Sequence, residues 1–285
     1  VAGHPVRTIH IGLNREKDIM YAFQFERATD AKAAVAKLQA DADAKFLGGG
    51  QSLLAAMKLR LAAPSMLVDV SRIPGMADIR VEGDELVIGA AARHADVAAH
   101  AEVMRRIPAL AAMANGIGDR QVRAMGTIGG SLANDDPGAD YPAAVLGLNA
   151  TVVTDRRNIA ADSFFKGLYE TALAPDELIT AVRFPTPDQA AYIKFRNPAS
   201  RFALVGVMVA RTGKLVRVAI TGAADSVYRA PDLEQALTAS FTPAAARAVK
   251  VDAARLNTDL HASAAYRAHL IPVLTARAVE QALKG

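Results

Sequence analysis

Two glycine-rich segments constrain this chain more than any other feature. The first is Lys45-Phe46-Leu47-Gly48-Gly49-Gly50-Gln51-Ser52-Leu53. The second is Met125-Gly126-Thr127-Ile128-Gly129-Gly130-Ser131-Leu132-Ala133-Asn134, which runs into Asp135-Asp136-Pro137-Gly138-Ala139-Asp140-Tyr141-Pro142. Glycine has no Cβ, so it tolerates positive φ and lets backbone N–H groups close on a bulky anion. One such loop alone reads equally well as a turn after a buried strand. Two of them, facing each other, can grip a diphosphate from both ends. With Asn134 and Asp140 following the second, the pair points to a dinucleotide cofactor held mainly by backbone.

Neither segment carries a standard nucleotide signature. Gly48-x-Gly50 has Leu53 where a G-x-G-x-x-G turn needs its third glycine. No G-x-x-x-x-G-K-[ST] occurs, so a P-loop is excluded. Composition narrows the class further. A chain of 285 residues, 52% hydrophobic, can bury a large core and suggests one large or two moderate domains. There is no cysteine, which removes thiolate catalysis, disulfides, cysteinyl flavin linkage and cysteine-bound iron–sulfur or zinc sites from this chain. That usage fits a reducing cytoplasm. No apolar run approaches the length of a spanning helix. The net charge of +4 is modest, its lysines and arginines are scattered, and 5% of residues are aromatic, which argues against a nucleic-acid surface.

Residues 1–19 lack apolar periodicity and a hydrophobic h-region, so they read as an extension or remnant rather than a secretory signal. From Met20 helix and strand alternate. Thr29-Asp30 should cap a helix over 31–38, with Ala34, Val35 and Leu38 inward. A strand is expected over 66–70, and a hairpin joins 79–81 to 85–88 through Gly83-Asp84. Helices are expected over 94–100, over 107–114 with Pro108 in its first turn, and over 141–148, before a strand at Thr151–Thr154. Pro185-Thr186-Pro187-Asp188 reads as a linker. Beyond it, strands at 191–196, 203–211 and 215–221 precede helices at 231–239, 243–256 and 262–283, with a turn at Thr212-Gly213. The middle strand is apolar throughout, so both its faces should be covered. The expectation is an α+β chain: a cofactor domain over 20–187, then a small α+β domain over 188–285 with a three-stranded antiparallel sheet.

Gly48-Gly49-Gly50-Gln51-Ser52-Leu53, Lys58-Leu59-Arg60-Leu61-Ala62 and Leu67-Val68-Asp69-Val70 resemble the first half of the FAD-binding medium subunit of molybdenum hydroxylases. Ile88-Gly89-Ala90-Ala91, Val122-Arg123-Ala124-Met125-Gly126-Thr127-Ile128-Gly129-Gly130-Ser131 and Asp136-Pro137-Gly138-Ala139-Asp140-Tyr141-Pro142-Ala143 continue the pattern. The family includes the medium chain of aerobic carbon monoxide dehydrogenase and the flavin part of xanthine dehydrogenase. The resemblance runs from about Met20 to the C-terminus. Met125 and the D-P-G-x-D run lean toward the carbon monoxide dehydrogenase branch.

The resemblance implies a two-lobed FAD-binding domain of the vanillyl-alcohol-oxidase (PCMH) type and a C-terminal domain of the carbon monoxide dehydrogenase flavoprotein type. It implies FAD contacts from Leu47, Gly48, Gly49, Gly50, Gln51, Ser52 and Leu53, from Ala91, from Gly126, Thr127, Ile128, Gly129, Gly130 and Ser131, and from Asn134. Asp140 would accept hydrogen bonds from cofactor hydroxyls, Ile179 would pack near the adenine, and Lys194 would lie near the flavin pyrimidine edge. Phe202 falls where the carbon monoxide dehydrogenase branch has a ring-stacking tyrosine; it keeps the π-face and loses the hydroxyl. It also implies a small [2Fe–2S] subunit and a large molybdopterin subunit as partners, in a dimer of heterotrimers. Electrons would pass from the clusters to FAD and then to an external acceptor.

Several residues carry a second reading. Asp140 is also placed to cap the helix starting at Tyr141. Lys194 reads as a solvated edge-strand lysine and Phe202 as ordinary core. Asp135-Asp136 resembles a paired-carboxylate site and equally a turn before Pro137. His94 and His100 do not share a helix face, which disfavours a metal pair. His261 and His269 read as exposed. A stand-alone flavin oxidase and a cofactor-free scaffold subunit are the rival functions.

Overall fold

The computed structural model describes residues 20–284, and the segment 1–19 lies outside them. Near the N-terminus, strands Gln24–Arg27 and Lys45–Leu47 flank Met66–Asp69 in a parallel three-stranded sheet. Helix Ala31–Ala40 provides the crossover. Asp30 caps it by accepting from the Ala33 N–H at 2.8 Å, and Ala34, Val35 and Leu38 face inward as expected.

The second sheet is antiparallel, in the order Ile79–Glu82, Glu85–Gly89, Ile179–Pro185, Thr151–Thr154, Asn158–Ala160. Its first two strands form the expected hairpin, with Gly83 at φ +60°. The central strand, Ile179–Pro185, arrives from about ninety residues downstream of the hairpin it completes. Short helices cover this sheet. Helix Pro108–Asn115 carries Pro108 in its first turn, where the missing N–H costs nothing.

The C-terminal sheet runs Gln189–Arg196, Ala203–Thr212, Leu215–Thr221, Tyr228–Arg229. It has four strands rather than the expected three. The two-residue fourth strand is too short to show any alternation. The tight turn between the second and third strands is Gly213-Lys214, one residue later than expected, with Gly213 at φ +58°. Residues 203–210 are all buried, because both faces are covered. Helix Ala264–Ala282 packs on one side and helix Tyr141–Gly147 on the other. The helix expected over 243–256 stops at Ala248. There Val249 turns extended and the Asp252 carboxylate accepts the Ala254 N–H at 3.0 Å, so a local turn replaces the helical bond. Among the described residues no helix is long and apolar enough to cross a membrane.

Helix Tyr141–Gly147 is buried along its whole length and belongs to both halves of the molecule. Its C-terminal carbonyls need donors. Arg217, on strand Leu215–Thr221, supplies them: its Nε and Nη2 donate to the Leu146 carbonyl at 3.0 and 2.8 Å, while the guanidinium also pairs with Asp162. Arg217→Met keeps the packing volume and strips those donors. The expected loss is about 1–3 kcal/mol of folding stability, read as a lower urea midpoint at unchanged slope; an unchanged midpoint would show that this seam is not limiting.

Candidate functional site

The glycine triplet bridges strand Lys45–Leu47 and helix Leu53–Lys58. Gly50 sits at φ +72°, a conformation that glycine adopts freely. Gly49 lies against the backbone of Met125 and Gly126, and a Cβ there would overlap the Met125 carbonyl. This glycine is therefore what allows the two segments to meet. The backbone N–H groups of Gly48, Gly49, Gly50, Gln51 and Ser52 donate to no acceptor among the described residues. Five successive donors without an acceptor there run along a cleft wall, an arrangement that can serve as a nest for an anion.

The second segment behaves differently. It is the first turn of helix Ile128–Asn134, with Thr127 as its cap. The Gly130 N–H donates to the Thr127 hydroxyl at 3.1 Å, Ile128 to the Ala92 carbonyl at 3.1 Å, and Gly129 to the Ala90 carbonyl at 2.8 Å. The Ser131 N–H donates to the Thr127 carbonyl. These four donors are spent inside the protein, so the run of donors without an acceptor among the described residues lies in the first segment. The glycines of the second segment serve close packing instead. A Cβ on Gly129 would stand 2.6 Å from the Ala90 Cβ, and one on Gly130 2.9 Å from the Thr127 hydroxyl.

Between the segments lies a cleft of about 730 Å³, within the usual range for small-molecule sites. Leu47 to Leu53, Gly126, Thr127, Gly130, Ser131, Asn134, Asp140 and Phe202 line it. Ala91, Ile128, Gly129 and Ile179 do not; they are buried behind the wall. Ile179 opens the central strand of the five-stranded sheet and packs into its core. The apolar lining comes instead from Leu38, Ile117, Leu173, Ala174 and Pro175. The last three flank the Gln39–Asp176 hydrogen bond of 3.0 Å, which ties their loop to the first helix. Lys194 is also off the surface, its side chain 8% exposed, behind Asp140.

Asp140 makes no cap hydrogen bond to its helix, so the capping reading is corrected. One carboxylate oxygen accepts from the Tyr192 hydroxyl and the other from Lys194 Nζ at 2.8 Å. Burial raises the Asp140 carboxyl above the usual range, opposed by the Lys194 ammonium and the Tyr192 hydroxyl. Asp136 forms the turn, accepting the Gly138 N–H at 2.8 Å. Its neighbour Asp135, at φ +43°, is 1% exposed. Burial, reinforced by Asp136, pushes the Asp135 carboxyl up to about 7.

Three further lining residues, Tyr169, Arg201 and His94, were not among the expected cofactor contacts. Tyr169 and Arg201 adopt left-handed backbone, φ +54° and +64°, a strain typical of ligand-binding rims. Arg201 Nη1 donates to the Gly118 carbonyl at 3.1 Å, from one wall of the cleft to another. The third, His94, is buried against the Tyr141 ring, centroids 5.3 Å apart, with Nδ1 unpartnered. The exposed Phe202 ring lies over Gly138.

A run of free backbone donors, polar side chains at Gln51, Ser52, Ser131 and Asn134, and apolar residues on the same large cleft suit a dinucleotide. Comparison with known proteins agrees. Residues 21–187 match the FAD binding domain in molybdopterin dehydrogenase, and residues 190–282 match the CO dehydrogenase flavoprotein C-terminal domain. The nicotine 6-hydroxylase medium subunit of Paenarthrobacter nicotinovorans is 34% identical, over 92% of this chain and 97% of its own length. The carbon monoxide dehydrogenase medium chain of Hydrogenophaga pseudoflava is 36% identical, over 91% and 96%. A solved structure of carbon monoxide dehydrogenase from that organism, lacking the Mo-pyranopterin moiety, superposes with a TM-score of 0.84 at 35% identity, covering 93% of this chain and 98% of that one. The chain belongs to the family of FAD-binding medium subunits of molybdenum hydroxylases, which includes the carbon monoxide dehydrogenase medium chain.

Burial, and secondarily Arg123, lowers His94 from 6.5 to about 4, so it is neutral at pH 7. The unfolded chain takes up this proton first. The contribution is therefore complete above about pH 6.5 and is lost as pH falls toward 4, at a cost on the order of 3 kcal/mol. The denaturation midpoint of cofactor-free protein should drop between about pH 7 and about pH 4.5, and His94→Gln should flatten that drop. An equal drop in both proteins would assign the acid sensitivity elsewhere.

Proposed function

We propose that this chain is the FAD-carrying electron-transfer subunit of a heteromeric molybdenum hydroxylase. The N–H nest at Gly48–Ser52 carries the reading, because its donors suit an anionic group and meet no acceptor among the described residues. In this reading the nest holds the diphosphate, with the side chains of Ser131 and Asn134 beside it. Each hydrogen bond to the charged group contributes roughly 1.5–3 kcal/mol. Leu38, Ile117, Leu173, Ala174 and Pro175 shelter the adenine. Phe202 offers its face to the isoalloxazine ring, and Asp140 accepts from the sugar or ribityl hydroxyls. Bound FAD supplies a two-electron store that exchanges electrons with neighbours.

The family membership supports a reading of the rest of the complex. Electrons enter from [2Fe–2S] clusters of a small partner subunit, and a large molybdopterin subunit oxidises the substrate. The assembly is a dimer of heterotrimers. The cysteine-free sequence supports this division, since it provides no cysteine to anchor a cluster. Residues 20–187 form the FAD-binding domain and 188–285 the second domain. Within this chain the residues bind and orient the cofactor; none acts as acid or base on the substrate.

The purified chain should bind FAD one to one, with flavin absorbance and quenched fluorescence. Phe202→Ala should weaken binding about threefold to tenfold, the value of one aromatic contact. The isolated chain should reduce no dye with carbon monoxide, purines, N-heterocycles or aldehydes. Substrate-dependent dye reduction by the metal-free chain would instead support a stand-alone oxidase, and a chain that takes up no FAD would support a scaffold.

A further inference from the structure

A glycine outside the cofactor nest also bears on the cleft. Gly206 interrupts the apolar strand Ala203–Thr212, where glycine weakens a sheet unless something must approach closely. Here that group is the Tyr192 hydroxyl, which a Cβ on Gly206 would overlap. Tyr192 and Lys194 are two apart on the neighbouring strand and so share one face. Lys194 pairs directly with Gly206 in the ladder, and Tyr192 crosses it diagonally. Both side chains end on Asp140, one on each carboxylate oxygen. Asp140 is the member of this trio that lines the cleft.

We propose that Tyr192 is a positioning residue of the cofactor site: seated in the slot left by Gly206, it acts with Lys194 to fix the Asp140 carboxylate at the cleft wall. An ionised carboxylate has about four lone-pair positions. Two are taken by Tyr192 and Lys194, and the remaining pair is left to accept hydroxyl protons of the cofactor. Without the Tyr192 hydroxyl the carboxylate keeps one anchor and is free to turn about it. This inference rests on the FAD reading above.

The test uses the full chain stripped of flavin, as wild type, Tyr192→Phe, Gly206→Ala and the double variant, with FAD as the probe. Tyr192→Phe should lower the melting temperature of the cofactor-free protein by no more than about 4 °C while raising the FAD dissociation constant about tenfold. At saturating FAD its visible absorbance and circular-dichroism bands should shift, which a loss of stability alone would not cause. Gly206→Ala should produce the same shift by displacing the hydroxyl. The double variant should bind no worse than the weaker single variant, because both changes remove one interaction. Wild-type affinity and unshifted bands in Tyr192→Phe, with normal wild-type binding, overturn this proposal alone. Fully additive losses in the double variant also overturn it. A wild-type chain that binds no FAD overturns the FAD reading and this proposal together.

Discussion

The segment Pro137–Asp140 is held by the C-terminal sheet, and the geometry of the cleft depends on that clamp. The Gly222 N–H donates to the Pro137 carbonyl at 2.7 Å and the Ala203 N–H to the Gly138 carbonyl at 3.2 Å. The Thr221 hydroxyl lies 3.0 Å from the Pro137 carbonyl and 2.8 Å from that of Ala139. The Asp140–Lys194 ion pair, with Tyr192, closes the sequence of contacts. A buried ion pair is a poor source of net stability, since desolvation offsets most of its attraction. Its value here is directional. It fixes one carboxylate relative to a sheet that begins about fifty residues later, and so joins the cofactor loops to the second half of the chain. Arg217 repeats the joint at the other end of helix Tyr141–Gly147.

The two glycine segments show that one composition can do two jobs. At Gly48–Ser52 the backbone donors meet no acceptor among the described residues, and the three glycines open a surface. At Gly129-Gly130 the donors are satisfied internally, and the absence of side chains closes a packing gap against Ala90 and Thr127. Substitutions in the second segment therefore act first on packing, where overfilling costs typically 1–3 kcal/mol. Those in the first act on the nest or, at Gly49, on the contact that sets the spacing of both.

Local chemistry was legible in the sequence, and long-range pairing was not. Asp30 as a cap, Pro108 in a first turn, the Gly83-Asp84 hairpin and the covered strand over 203–210 each depend on a few adjacent residues. The central strand Ile179–Pro185 follows a polar loop and has no local strand signal, and Ile179, which the resemblance puts near the adenine, is buried in the core. Asp140 looked like a cap because its sequence neighbours form a helix. Its true partners, Tyr192 and Lys194, are 52 and 54 residues away. Gly206 was visible, but its reason, a hydroxyl from the adjacent strand, is a tertiary fact.

Walls and rim of the cleft are built on different terms. The walls rest on the sheets and on buried side chains such as Ile128, Tyr141 and Val182, all fully enclosed. The rim residues Tyr169, Phe202 and Arg201 are exposed, and two of them hold strained backbone. Strain of this kind costs of order 1–3 kcal/mol per residue and persists only when the surroundings impose it. At Arg201 the Gly118 carbonyl provides part of that constraint, and at Tyr169 the short hairpin Phe165–Thr171 does, with its hydroxyl 3.4 Å from Asp136. A rigid nest with a strained, open rim suits a cofactor that must be gripped at its phosphates yet exchange electrons at its ring. The tight contacts lie at Gly49 and behind the wall, and the exposed side chains lie at the rim.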